Sequence, residues 1–385
     1  MKILKGAMAI LLLISLCMTF AVSSFALTIK EPNLELSGKS AILIDAGTGT
    51  VLYEKNADLR LSPASVTKIM TLLLVFEAIE RGTLKYDDIL TVSENAASMG
   101  GSQIFLEVGE EMSVNDLLKS VIVASANDAA LTLAEHVSGS EEAFVSAMNE
   151  RAIELGMTNT HFENVTGLDD DVTEHLTTAR DIATMSRELL KHDKITEYTT
   201  IWMDSVRNGD FALTNTNRLV RFYRGITGLK TGSTSKAGFC ISATAKRNDL
   251  HLIAVIMGAD SSDNRNISVA KLLDFGFANY GAYVDNSITP EKIRIYGGKS
   301  DFASTYCNDF SALINKEGSS KITSEIKMNE YATAPVQKGD TVGKIIYKLN
   351  DEIIGENPIY CAENIDKITF FDYFGLAIKK FLLNL

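Results

Sequence analysis

The sequence predicts an α+β protein: a domain of strands around a helical insertion, then a separate all-β domain and an amphipathic terminal helix. Three observations carry this. Strand signals at 41–53 and 239–257 bracket a run of helical periodicity from 93 to 192. Period-2 alternation returns after Tyr283. Residues 366–385 gather their apolar side chains on one helical face.

The elements follow in order. Lys2 and Lys5, a mostly apolar stretch from Ala7 to Val22, and Ser24-Phe25-Ala26 read as a secretory signal peptide over 1–26, the alternative being an uncleaved N-terminal anchor. Leu16 is bulky where a lipidation site before Cys17 wants a small residue. Ala41-Ile42-Leu43-Ile44-Asp45, a turn at 47–50 and Val51-Leu52-Tyr53 predict a hairpin. Ser62-Pro63 reads as an N-cap and first helical residue. The helix from there to about Ile79 is apolar almost all round and therefore central.

Helical periodicity recurs at 113–124, 126–138, 141–155 and 178–191. Strands are expected at Phe239–Ala245 and Leu250–Met257, and a helix at about 264–280. The resulting division is 27–283 for the first domain, 284–365 for the all-β domain and 366–385 for the tail. Alternation in Lys292–Tyr296, Lys321–Ile326 and Gly343–Leu349 supports the second. In the tail Phe370, Phe374, Ala377, Ile378, Phe381, Leu382 and Leu385 share a face opposite Asp372 and Lys379. Its charges interrupt every apolar run, so it cannot span a bilayer but can lie on the surface of one. The alternative is a helix packed on the β domain.

Composition narrows the function. The 385 residues are 46% hydrophobic and 22% charged with only 5 Pro, an ordinary globular balance that excludes disordered and collagen-like chains. A formal charge of −12 excludes a nucleic-acid binder, whose basic surface would face phosphates. Cys240, Cys307 and Cys361 remain after cleavage at Ala26. They have no metal-ligand spacing, and pairing of Cys307 with Cys361 stays open.

No HExxH, GxSxG, Walker A or GxGxxG string occurs, and the five histidines make no metal-ligand spacing and read mostly as solvated or capping residues. Without a histidine base, attention turns to lysine. Ser65-Val66-Thr67-Lys68 puts a hydroxyl and an amine three apart at the start of the central helix, on one face. Apolar surroundings lower the lysine's pKa, and the helix start aims N–H groups at developing negative charge. Ser-x-x-Lys also occurs at Ser233, Ser268 and Ser324, but only the Ser65 copy begins a buried helix. Two further strings follow: Ser125-Ala126-Asn127 between two helices, and Lys230-Thr231-Gly232 just before the strand at 239–245. Alone they would read as a capping loop and a turn. In this order the three form the signature of penicillin-binding proteins and class A β-lactamases.

The wording around the motifs is more specific. SPASVTKIM at Ser62–Met70, SANDA at Ser125–Ala129, LGMTNTHFENVTG at Leu155–Gly167, HLTTARDI at His175–Ile182 and GLKTGSTSKAGFC at Gly228–Cys240 resemble the serine-type D-Ala-D-Ala carboxypeptidases. These are low-molecular-mass penicillin-binding proteins. Leu213–Gly232 (LTNTNRLVRFYRGITGLKTG) most resembles the enzymes of endospore-forming bacteria.

The resemblance implies a transpeptidase-like α+β fold, an antiparallel sheet with a helical subdomain, plus the β domain and tail. It implies Ser65 as acylated nucleophile, Lys68 as general base, and Ser125 with Asn127 on a second wall. Lys230 and Thr231 would hold the terminal carboxylate of a D-Ala-D-Ala stem peptide. Gly232 and Ser233 complete that strip, with the Ser65 and Ser233 N–H groups as oxyanion hole. It implies no metal or cofactor, inhibition by β-lactams, and a site of action outside the cytoplasmic membrane. Some relatives carry His and Arg where this chain has Ser233 and Thr216, which leaves Arg218, Arg221 or Arg224 to supply the missing cation.

Two other readings compete. A class A β-lactamase would carry Glu-x-x-Leu-Asn between Asn127 and Lys230, and no such string occurs. A catalytically dead wall-binding module would show a degenerate motif, and all three are intact.

Overall fold

A computed structural model describes residues 34–169, 172–316 and 322–383. The expected signal peptide lies outside the described residues.

β1 (Ser40–Asp45) is buried along its whole length. It pairs with β2 (Val51–Lys55) through the predicted turn, where Asp45 accepts from the backbone and hydroxyl of Thr48. The chain then makes a short 3-10 turn, Ala64–Thr67, and enters α1 (Lys68–Glu80). Ser62 does not cap it. Pro63 holds the cap position without a side-chain bond, and the Ser62 hydroxyl is spent elsewhere. Ile69, Met70, Leu72, Leu73, Val75 and Phe76 are all buried in α1. At about 2 kcal/mol for each fully buried side chain, this helix is the pillar of the core.

α2 (Val114–Lys119), α3 (Asn127–Ser138), α4 (Glu141–Glu154) and α5 (Ala179–Leu189) surround α1. The helix predicted over 113–124 is interrupted. After Lys119 the backbone widens into a π turn, Ser120–Ala124, that ends with Ser125 in the left-handed region at φ 63°. Such π turns concentrate at functional sites. Serine caps open α2 and α4, and Thr178 opens α5, each accepting the N–H three residues on.

β3 (Ile226–Thr234), β4 (Gly238–Arg247) and β5 (Leu250–Ala259) return to the sheet, whose order is β2-β1-β5-β4-β3 with antiparallel neighbours. β3 refines the sequence reading: Lys230-Thr231-Gly232, placed there just before the strand at 239–245, lies inside an edge strand of its own. Register sorts the two faces. Ile42, Val255, Ser242 and Lys230 stand in one row, and Ser242 meets Ser186 of α5 at 2.8 Å. The next row, Leu43, Ala254, Ala243 and Leu229, belongs to the opposite face. There α6 (Ser262–Asn279) approaches Leu43 and Leu252 at Gly276.

β6 (Tyr280–Asp285) pairs with β8 (Phe310–Asn315), with β7 (Ile293–Tyr296) between them in sequence. β9 (Ile322–Met328), β10 (Thr341–Leu349) and β11 (Glu352–Cys361) form a meander joined by the short strand Thr305–Cys307. Val342, Ile345, Tyr347 and Ile359 fill a separate core, with Phe310 stacked on Tyr347 at 3.7 Å. Cys307 and Cys361 are both free thiols: Cys307 stands opposite Ile359, two positions along β11 from Cys361. α7 (Phe370–Leu383) begins with a capping box, Thr369 and Asp372 bonding each other's backbone N–H.

Candidate active site

Ser65 sits on the 3-10 turn, partly exposed, three residues before a fully buried Lys68. The predicted contact forms: Lys68 Nζ lies 3.0 Å from Ser65 Oγ. The amine also donates to Asn127 Oδ1 at 2.5 Å and to the Thr166 carbonyl at 2.9 Å. Both are acceptors only. Asn127 is fixed in that orientation because its Nδ2 donates to the Gly100 carbonyl at 2.7 Å. Burial and the nearby Lys230 charge hold Lys68 well below the usual lysine pKa, with Asp128 opposing. A neutral Lys68 spends its two N–H bonds on Asn127 and Thr166. Its lone pair then faces the Ser65 hydroxyl.

The second wall comes from the end of the π turn. Ser125, buried and left-handed, accepts a hydrogen bond from Lys230 Nζ at 2.8 Å. Lys230 reaches it from the middle of β3 and also donates to the Thr231 carbonyl at 2.9 Å. Burial, reinforced by the Arg265 charge, pushes Lys230 down to about 7. The three sequence strings therefore meet around one cleft of about 410 Å³, lined by Ser65, Ser125, Thr231, Gly232 and Ser233 among others.

Gly232 explains how the strand and the Ser65 turn come so close. A Cβ there would lie 2.7 Å from the Ser65 nitrogen and 2.9 Å from both the Pro63 carbonyl oxygen and the Val66 nitrogen. Gly167 does the same from the loop that supplies the Thr166 carbonyl. Its φ is +83°, and a Cβ would fall on the Ala64 carbonyl oxygen.

Of the three arginines the sequence left open, one reaches the cleft. Arg218 lines the cleft and faces Asp263 at 3.8 Å. Arg221 instead lies over the rings of Trp202 and Phe222, and Arg224 gives its carbonyl to Arg247. Arg265, which the sequence reading did not single out, also lines the cleft. It is buried, donates to the Cys240 carbonyl, and forms no ion pair among the described residues. Burial lowers it to about 10, so it stays charged at neutral pH. Its signal was present: Arg265 occupies the buried stripe of α6 with Val269, Leu272 and Leu273, where a cation is out of place. Thr216 accepts from Thr231 Oγ1 at 2.7 Å.

The histidines need a second correction. His175 is buried and held at about 4 by desolvation. Its Nδ1 accepts from the Glu163 N–H, so the neutral ring donates from Nε2 to Thr67 Oγ1. It packs behind the Ser65 turn and is not solvated. His192 is buried as well, facing Glu80 at 2.8 Å.

A serine next to a neutral lysine, faced by a hydroxyl-lysine pair and a buried arginine, is suited to acyl transfer on substrates ending in a carboxylate. Comparison with known proteins agrees. The D-alanyl-D-alanine carboxypeptidase family matches residues 26–261, and the C-terminal domain of penicillin-binding protein 5 matches 277–367. The D-alanyl-D-alanine carboxypeptidase DacF of Bacillus subtilis is 43% identical over 379 residues, 96% of this chain and 97% of the relative. DacC of Escherichia coli is 35% identical, covering 91% and 90%. Among solved structures, penicillin binding protein 5 from Haemophilus influenzae superposes with a TM-score of 0.73 at 29% identity, covering 87% of this chain and 99% of that one.

The chain belongs to the D-alanyl-D-alanine carboxypeptidase family, the low-molecular-mass penicillin-binding proteins. It is a hydrolase, a serine peptidase specific for D-alanyl-D-alanine termini.

Proposed function

We propose that the terminal D-Ala of peptidoglycan stem peptides is removed through an acyl-enzyme on Ser65. The observation that carries this is the Lys68 amine, 3.0 Å from Ser65 Oγ with its other contacts taken by carbonyl oxygens. Lys68 takes the hydroxyl proton as Oγ bonds to the carbonyl carbon between the last two D-alanines. The Ser65 and Ser233 N–H groups stabilise the oxyanion. The C–N bond then breaks, and the proton passes to the departing D-Ala nitrogen with Ser125 as relay. Water cleaves the ester. Lys230, Thr231 and the buried Arg265 hold the substrate carboxylate. A β-lactam acylates the same serine and stays, because its leaving group remains tethered.

Intact mass after incubation with benzylpenicillin tests the assignment. A penicilloyl adduct mapped to Ser65 and absent in Ser65→Ala is the expected result, with D-Ala released over many turnovers from a D-Ala-D-Ala pentapeptide. Rapid penicillin turnover without D-Ala release would make the enzyme a β-lactamase. An adduct surviving in Ser65→Ala would displace the nucleophile.

Action on the wall lies outside the cytoplasm, and we propose export after loss of residues 1–26 and attachment to the membrane surface by α7. Among the described residues no helix is long and apolar enough to cross a membrane. α7 leaves Phe370 76%, Phe371 82% and Phe381 72% exposed. Aromatic rings seated in the acyl boundary with Lys379 at the head groups account for that exposure. A chain ending at Asp366 is expected in the soluble fraction with its penicillin acylation rate unchanged. Unaltered retention on membranes would sink the anchoring role.

A further inference from the structure

The two proposed oxyanion donors belong to segments far apart in sequence: Ser65 to the 3-10 turn and Ser233 to the end of β3. One carboxylate bridges the neighbours of both. Asp169 Oδ2 accepts from Ser62 Oγ at 2.9 Å and from Thr234 Oγ1 at 2.6 Å. Ser62 precedes the nucleophile by three residues, and Thr234 directly follows Ser233. Asp169 is 8% exposed and Ser62 5% exposed, so water competes little for these bonds. Thr234 Oγ1 in turn accepts the Ala237 N–H at 2.9 Å, which anchors the β3–β4 turn to the same point. Asp169 itself leaves the loop that carries Gly167 and Thr166, the segment pressed against Ala64 and Lys68.

We infer that Asp169 is a positioning residue for the oxyanion hole, setting the separation of the Ser65 and Ser233 N–H groups by clamping Ser62 to Thr234. This rests on the reading of those two N–H groups as the oxyanion donors. Both hydroxyls converge on a single oxygen, and a charge-assisted acceptor binds two donors more firmly than a neutral one. Two donors held by a common acceptor cannot drift apart independently. Such preorganisation acts on the tetrahedral state and leaves ground-state binding of product nearly unchanged.

The test compares Asp169→Leu, Asp169→Asn and Ser62→Ala, with rates counted per penicillin-titratable site so that misfolded enzyme does not enter. In Asp169→Leu, kcat for a D-Ala-D-Ala peptide is expected to fall about 10²-fold, with KM within threefold of wild type. Affinity for a D-Ala boronic acid, which presents a tetrahedral oxyanion, should fall in parallel, and affinity for the product peptide should not. Asp169→Asn keeps a single oxygen for both hydroxyls and should restore most of the rate. Ser62→Ala should show an intermediate loss that disappears in the Asp169→Leu background.

A kcat per titratable site within twofold of wild type in Asp169→Leu would overturn the clamp. So would equal losses of boronate and product affinity, or an Asp169→Asn variant as slow as Asp169→Leu. A wild-type enzyme that binds the boronate no more tightly than the product would overturn the oxyanion reading itself. A wild type that binds the boronate more tightly than the product, with Asp169→Leu equally tight, overturns only the clamp. Should Asp169→Leu fail to fold, Ser62→Ala still decides, because the clamp requires its boronate affinity to fall with kcat.

Discussion

Replacing Lys68 by alanine is expected to slow penicilloylation of Ser65 by about 10³–10⁴-fold while the protein stays folded. The loss is chemical. Ser65 keeps its place on the turn, but nothing within reach accepts its proton: Asn127 presents Oδ1 to Lys68 only because its amide is pinned by Gly100, and Thr166 offers a carbonyl. Those two acceptors lose their donor, which costs about 1–3 kcal/mol each and lowers Tm by several degrees without unfolding the domain. Lys68→Arg separates the base from the hydrogen-bond donor. Guanidinium keeps donors for Asn127 and Thr166 but stays protonated, so it should be nearly as slow as alanine. An arginine variant within tenfold of wild type would show that Lys68 works by donating.

The pH profile reports the same pair of lysines. In the proposed mechanism Lys68 acts when neutral, and burial favours that form, so its protonation limits the rate only on the acid side. Lys230 acts when charged, and its pKa in the free enzyme is about 7. Carboxylate capture is therefore strongest below that value and declines as pH rises through it. Because kcat/KM reports groups of the free enzyme, the descending limb for a D-Ala-D-Ala peptide should fall near 7. A peptide amidated at its C-terminus should lack that limb, having no carboxylate for Lys230 to hold.

How much of this was legible in the sequence depends on the range of each interaction. Ser65 and Lys68 are three residues apart on one helical turn, so their contact could be read from spacing alone. The hairpin 41–53 and the strands at 239–257 were readable because buried strands advertise themselves with apolar runs. β3 was missed because its residues are not apolar: Lys230, Thr231, Gly232 and Ser233 spend their side chains, or their lack of one, on the site. A strand built for chemistry does not carry the pattern of a strand built for packing. The π turn before Ser125 was hidden for a different reason, since Ser120–Ala124 keeps helical periodicity and only the backbone widens. Ser62 looked like a cap because local statistics favour it there. Its true acceptor is Asp169, 107 positions away, and no local rule reaches that far. Arg265 was findable in principle, as a cation on a buried stripe, but its cleft exists only once α6 packs beside β4.

Gly232→Ala is expected to lower the acylation rate by about 10²–10³-fold, a loss out of proportion to one methyl group. No conformational strain is involved, since Gly232 is not in the left-handed region; the whole effect is space. The added carbon would stand 2.7 Å from the Ser65 nitrogen, the donor meant for the oxyanion, and 2.9 Å from the Pro63 carbonyl oxygen. These are backbone atoms of a turn packed on α1, so the turn cannot yield. β3 can, because it is the edge of the sheet and pairs only with β4. The strand should therefore move outward, taking the Ser233 N–H and the Thr231 hydroxyl with it and opening both the oxyanion hole and the carboxylate site. An edge displacement of this kind leaves the central strands and α1 intact, so the thermal transition should shift by only a few degrees. Stopped-flow acylation by benzylpenicillin measures the effect directly, with the final adduct still on Ser65. A second-order rate constant within threefold of wild type would mean that the turn, and not the strand, gives way. The close approach of Gly232 would then be a packing contact with no bearing on the reaction.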